Sequence, residues 1–154
     1  MTARTARSTE HGTFTITRTY AVPPERVFAA WATRVAKARW FGGGGDEVND
    51  ALELDFRVGG SEFIRGEFDG GPVHTYAATY QDIVDGERIV YSYAMNLNGA
   101  VISVSVATVV FQPSGTGTTL TFTEQGVFLD GGDTPAVREK GTGELLDQLG
   151  AALA

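Results

Sequence analysis

The chain has 154 residues, 42% hydrophobic and 20% charged, with a formal net charge of −7 and no cysteine. This composition describes one globular domain with its own core, and it excludes disulfides, thiolate metal sites and thiol nucleophiles. An acidic surface with scattered basic residues repels phosphate backbones and anionic lipid, so nucleic acid is not an expected partner, and no apolar run nears the roughly 20 residues of a membrane helix.

Residues 1–12, "MTARTARSTEHG", are polar and aperiodic and read as a disordered tail ahead of a single domain over 13–154. No signal-type apolar stretch follows the start, which makes a cytoplasmic location the expectation and membrane insertion an unexpected one. "TFTITRTYA", residues 13–21, alternates strictly and predicts a half-buried strand with Phe14, Ile16, Arg18 and Tyr20 on one face. Pro24, then Val27, Phe28 and Trp31, mark a short amphipathic helix. A second short helix is predicted from Val35 to Phe41, capped at Gly42.

Strands with turn signals follow. "ALELDFRV" sets Leu52, Leu54, Phe56 and Val58 on one face, and Gly59-Gly60 turns into "SEFIRGEF". "DGGP" turns into "HTYAATYQDIV", and "DGE" makes a tight hairpin into "RIVYSYAM". "NLNG" opens the last pair, "VISVSVATVVF" and "TTLTFTEQGVF". Thr134 then caps a helix with Pro135 in its first position, running to the end of the chain. Its stripe is Val137, Gly141, Leu145, Leu149 and Leu153, with Leu146 beside it. A meander this long must curl, and the terminal helix is the element able to cover its concave face. The expected architecture is α+β, a curved antiparallel sheet of about seven strands in the order β-α-α-β6-α, wrapped around that helix.

Four stretches resemble a known family: "AVPPERVFAAW", "RWFG" closing the second helix, "LDFRVGG", and "TEQGVFLDGG" before "GTGELLDQL". Together they look like the SRPBCC superfamily of START-like, helix-grip proteins, and within it the branch named after the activator of Hsp90 ATPase, also called polyketide-cyclase-like. The resemblance covers residues 13–153. It implies a helix-grip fold with a ligand cavity between sheet and terminal helix, and it is specific to fold rather than activity. Two departures touch the cavity: Gly42 to Gly45 stand where many relatives have Gly-Pro, and Gly143 replaces a larger side chain. The eukaryotic activator's separate N-terminal domain, which makes much of the chaperone contact, has no counterpart in these 154 residues. That counts against a chaperone co-factor role.

A search for catalytic motifs returns little. Neither Gly-x-Ser-x-Gly nor Ser-x-x-Lys occurs, and His74, the one histidine inside the predicted domain, opens a strand at a rim position suited to a surface histidine. No metal-ligand spacing is present and no cofactor is implied. Asp130 and Asp133 fit a turn and helix cap better than a calcium site. "GGGGD" lacks the Gly-Lys-Ser/Thr and following helix of a phosphate loop.

The aromatic residues carry more information. Trp31, Trp40, Tyr76, Tyr80, Tyr91, Tyr93 and Phe111, with Leu145 and Leu149 from the helix, are candidates to line a pocket for a small hydrophobic or aromatic molecule. Taken singly, each tyrosine reads first as core filling, with some tyrosine hydroxyl expected in the cavity. Arg18 and Glu124 are charges in apolar registers of the first and last strands. The resemblance makes those strands antiparallel neighbours, so the two side chains are expected to meet as a buried ion pair. Glu124 is then either a structural partner of Arg18 or a ligand anchor and general base. Three functions stay open: a binding protein for a small hydrophobic molecule, a cyclase- or hydrolase-like enzyme using Glu124 and a tyrosine, and a chaperone co-factor. A homodimer is compatible with all three.

Overall fold

A computed structural model describes residues 6–41, 51–67 and 71–154. Seven antiparallel strands form one curved sheet: β1 (Thr9–Tyr20), β2 (Glu53–Leu54), β3 (Ser61–Glu67), β4 (Val73–Val84), β5 (Arg88–Leu97), β6 (Ala100–Ser114) and β7 (Gly117–Leu129). Their spatial order is β1-β7-β6-β5-β4-β3-β2, so every neighbour after the β1–β7 crossover is also a neighbour in sequence. Three helices complete the chain: α1 (Pro24–Ala32), α2 (Arg34–Ala38) and α3 (Pro135–Leu153). The result is the expected helix-grip arrangement, with α3 on the concave face, packed chiefly along β1.

Local chemistry accounts for the joints. Asn98 and Gly99 both take positive φ, 49° and 82°, the geometry a two-residue hairpin needs between right-twisted strands. Thr134 accepts a hydrogen bond from the Val137 amide at 3.2 Å, capping α3 with Pro135 behind it. Trp40 donates its indole N–H to the Ala30 carbonyl at 2.9 Å and ties the segment after α2 to α1.

Four expectations change. β1 begins at Thr9 and pairs with β7 from Thr9↔Leu129 onward, so residues 9–12 belong to the sheet rather than to a tail. Within "ALELDFRV" only Glu53–Leu54 is strand, and Val58 stands 57% exposed, because the chain turns through Asp55 to Gly60 on its own backbone bonds. Helix α2 ends at Ala38 rather than Phe41. In α3 the buried residues are Thr142, Gly143, Leu146 and Leu149, while Val137 is 63% exposed. Apart from Leu149, the apolar stripe lies at the edge of the buried face because small residues, 142 and 143, let the helix approach β1. The expected cap at Gly42, the Gly42 to Gly45 segment and the Asp69-Gly70 turn lie outside the described residues. No helix among the described residues is long and apolar enough to cross a membrane.

Candidate functional site

Strand alternation points one set of side chains into the concavity. On β6 that set grades from Ser103 and Ser105 at one end through Ala107 and Val109 to Phe111 at the other. The flanking strands add Tyr91, Tyr93 and Met95 from β5, and Leu120, Phe122 and Glu124 from β7. Between this surface and α3 lies a cavity of about 350 Å³, within the span of small-molecule sites. Trp31, Trp40, Phe41, Tyr76, Tyr91 and Tyr93 form its aromatic wall, and Phe122, Leu145 and Leu146 add apolar surface. His74, Met95 and Gly141 are half-buried and, with the exposed Val137, make its margin.

The polar end of the cavity is built around Glu124, which is 1% exposed. The Tyr93 hydroxyl donates to its carboxylate, 2.7 Å from each oxygen, and Ser105 donates to Oε2 at 2.8 Å. Arg138, from the first turn of α3, reaches Oε2 at 3.2 Å and the Tyr93 oxygen at 2.8 Å. The same guanidinium donates to Ser103 at 2.6 Å and to Asp133 Oδ2 through Nη2 and Nε at 2.9 and 3.2 Å. Its Cζ lies over the Phe128 ring, 5.1 Å from the centroid.

Pairing across β5, β6 and β7 aligns Tyr93, Ser105 and Gly126. A Cβ at Gly126 would collide with Ser105 Oγ, so the glycine is what lets that hydroxyl sit beside Glu124. Burial raises the Tyr93 pKa and neighbouring Glu124 raises it further, so the phenol stays protonated. Burial opposes the charge on Arg138, but Tyr93, Glu124 and Asp133 outweigh it and hold the guanidinium charged.

A second buried charge cluster lies behind the aromatic wall. Lys37 of α2 pairs with Glu62 of β3 at 2.6 Å, and Tyr80 donates to the same carboxylate oxygen at 2.5 Å. Both ionic side chains are fully buried. Lys37 also sits 4.4 Å from the Phe41 ring centroid and 5.3 Å from that of Trp31, two residues that line the cavity. Burial lowers the Lys37 pKa, and Glu62 partly offsets it.

Of the ten residues expected around a ligand, Trp31, Trp40, Tyr76, Tyr91, Tyr93, Glu124 and Leu145 line the cavity. Tyr80 does not, because Glu62 holds its hydroxyl in the second cluster. Phe111 packs edge-on against Phe28 and Trp31 at the far end of β6, and Leu149 is fully buried one turn beyond the cavity.

The expected Arg18–Glu124 pair does not form. Register places Phe14 opposite Glu124 and Arg18 opposite Leu120, four residues away, about 13 Å along the strand. Arg18 instead bonds the exposed Asp147 at 2.8 Å. His74, expected as a surface histidine at a rim position, is half-buried and lines the cavity margin.

Ser103, Ser105 and Arg138 were not singled out in the sequence, and Asp133, expected in a turn and helix cap, also pairs with Arg138. The two serines had a readable signal, since they occupy the inward register of "VISVSVATVV". Arg138 had none, because nothing in its local pattern distinguishes it from a solvated helix residue.

Residues 21–154 match the family described as activator of Hsp90 ATPase homolog 1-like protein. No curated protein matches the chain. Among solved structures, an uncharacterized protein from Rhizobium leguminosarum is 43% identical with a TM-score of 0.92, over 97% of this chain and 98% of that one. The Mll3558 protein from Rhizobium loti is 47% identical with a TM-score of 0.86, over 94% and 99%. CalU16 from Micromonospora echinospora, 19% identical with a TM-score of 0.65 over 97% and 87%, shares the fold.

Proposed function

The chain belongs to the activator of Hsp90 ATPase homolog 1-like family, and we propose that it binds a small hydrophobic or aromatic ligand in the cavity between sheet and α3. The observation that carries this reading is the cavity itself: about 350 Å³, walled by aromatic rings, with one hydrogen-bonded polar cluster at its end. Binding is non-covalent. Burying on the order of 200 Å² of apolar ligand surface contributes about 5 kcal/mol before the losses of association. Affinity of that size needs the polar cluster for orientation and selection.

Both tryptophans of the chain line the cavity, so their emission reports occupancy. Saturable one-to-one quenching by a non-fluorescent aromatic of one or two rings is the expected result, together with its loss in Gly141→Phe, which fills the margin. Linear, unsaturable quenching in a folded protein would refute the reading.

A second reading is favoured by the Tyr93–Glu124 contact on the cavity wall: an acid–base pair acting on the bound molecule. It requires that Tyr93→Phe abolish turnover while leaving ligand affinity within a few-fold. Equal loss of both would leave Tyr93 a binding group only.

A further inference from the structure

The hydrogen-bond inventory of the polar end restricts what the cavity accepts, and this restriction rests on the binding function proposed for it. A guanidinium carries five N–H donors. In Arg138 all five have partners: Nε on Asp133, Nη1 on Tyr93 and Glu124, Nη2 on Ser103 and Asp133. The guanidinium has no donor left for an anionic ligand. The cavity also sees two carboxylates, Glu124 and Asp133, against that one cation, so a third negative charge meets net repulsion.

The acceptors are less completely used. Glu124 Oε2 takes Ser105 and Arg138 as well as a share of the Tyr93 proton, whereas Oε1 has only the other share of that proton. A single phenolic O–H cannot satisfy both oxygens, so Oε1 keeps acceptor capacity. On the wall beside it, the Tyr76 hydroxyl is buried, 7% exposed, and makes no close hydrogen bond among the described residues, interacting only weakly with the neighbouring Tyr91 phenol. A buried polar group without a close partner carries a desolvation penalty that a ligand atom can remove.

We propose that the cavity selects a neutral aromatic molecule bearing a hydrogen-bond donor, a hydroxyl or amino group seated on Glu124 Oε1, and rejects the corresponding carboxylate. Glu124 is then the specificity-determining residue, and Arg138 holds it in place rather than receiving the ligand.

Equilibrium dialysis of the full chain at neutral pH against 2-naphthol, 2-methoxynaphthalene and 2-naphthoate tests this. The three share one ring system and differ in donor and charge. The naphthol is expected to bind about tenfold more tightly than the methyl ether, as for one hydrogen bond to a charged acceptor, with the naphthoate weakest. In Glu124→Gln, checked for folding by circular dichroism, the naphthol advantage shrinks to within about threefold and the naphthoate gains.

Equal binding of naphthol and ether, or tightest binding of the naphthoate, overturns the selection while leaving the cavity a binding site. An unchanged order in folded Glu124→Gln removes Glu124 as the selector. Retention of none of the three overturns the binding function as well.

Discussion

Two carboxylates occupy inward positions of this sheet, Glu62 on β3 and Glu124 on β7, and their surroundings are opposite. Glu62 is fully buried and held by one lysine and one tyrosine, with Lys37 over the Phe41 ring, and it is not among the described residues that line the cavity. Glu124 has three partners, Tyr93, Ser105 and Arg138, on two strands and a helix, yet it forms part of a cavity wall. An inward carboxylate by itself therefore does not mark a site. What marks one is a carboxylate whose hydrogen bonds hold it firmly and still leave one face on empty volume.

The largest effect expected from this contrast is on stability at the closed cluster. Lys37→Met leaves Glu62 buried without its cation and should lower unfolding free energy by about 3–5 kcal/mol in urea denaturation. Adding Glu62→Leu should recover most of that loss. A single variant as stable as wild type would mean that the pair is not closed. Glu124→Gln should be milder, about 1–2 kcal/mol, because Tyr93 and Ser105 can still donate to the amide oxygen and Arg138 keeps Asp133. If its melting temperature falls as far as that of Lys37→Met, the distinction between the clusters collapses.

Two smaller effects sharpen the comparison on α3. A Cβ at Gly141 meets nothing within 4 Å, so Gly141→Ala should stabilise the helix by about 1 kcal/mol while Gly141→Phe closes the cavity margin. Thermal melting reads the first and ligand titration the second. The smallest effect should come from Arg18→Ala. Its pair with Asp147 is largely exposed, and such pairs contribute about 0–1 kcal/mol. A loss near that of Lys37→Met would restore a buried role for Arg18.

Much of this molecule was readable before any coordinates. Alternation placed Phe14, Phe122, Glu124 and the tyrosines of β4 and β5 on the inner face, because a strand's side-chain period of two leaves no freedom once one member is buried. Thr134 and Pro135 announced the start of α3, since a cap side chain accepts from one orphan N–H of the first turn and a proline at the first position removes another. The family motifs added the order of the elements. The failures are equally physical. Arg18 was paired with the wrong carboxylate because alternation gives a face but no register, and a four-residue offset keeps both side chains inward while separating them. Lys37 and Arg138 were passed over because a cation on a helix is ordinarily solvated.

The amino-acid sequence by itself determined the curved sheet, the closing helix and the presence of a carboxylate on the inner face of the last strand, since these follow from local period, caps and turns. Only the tertiary structure decided which cation meets which carboxylate, that Gly126 gives Ser105 its room, and that one cluster is sealed while the other borders a cavity. Those outcomes depend on strand register and on how closely α3 approaches the sheet, and both are set by contacts between residues far apart in the chain.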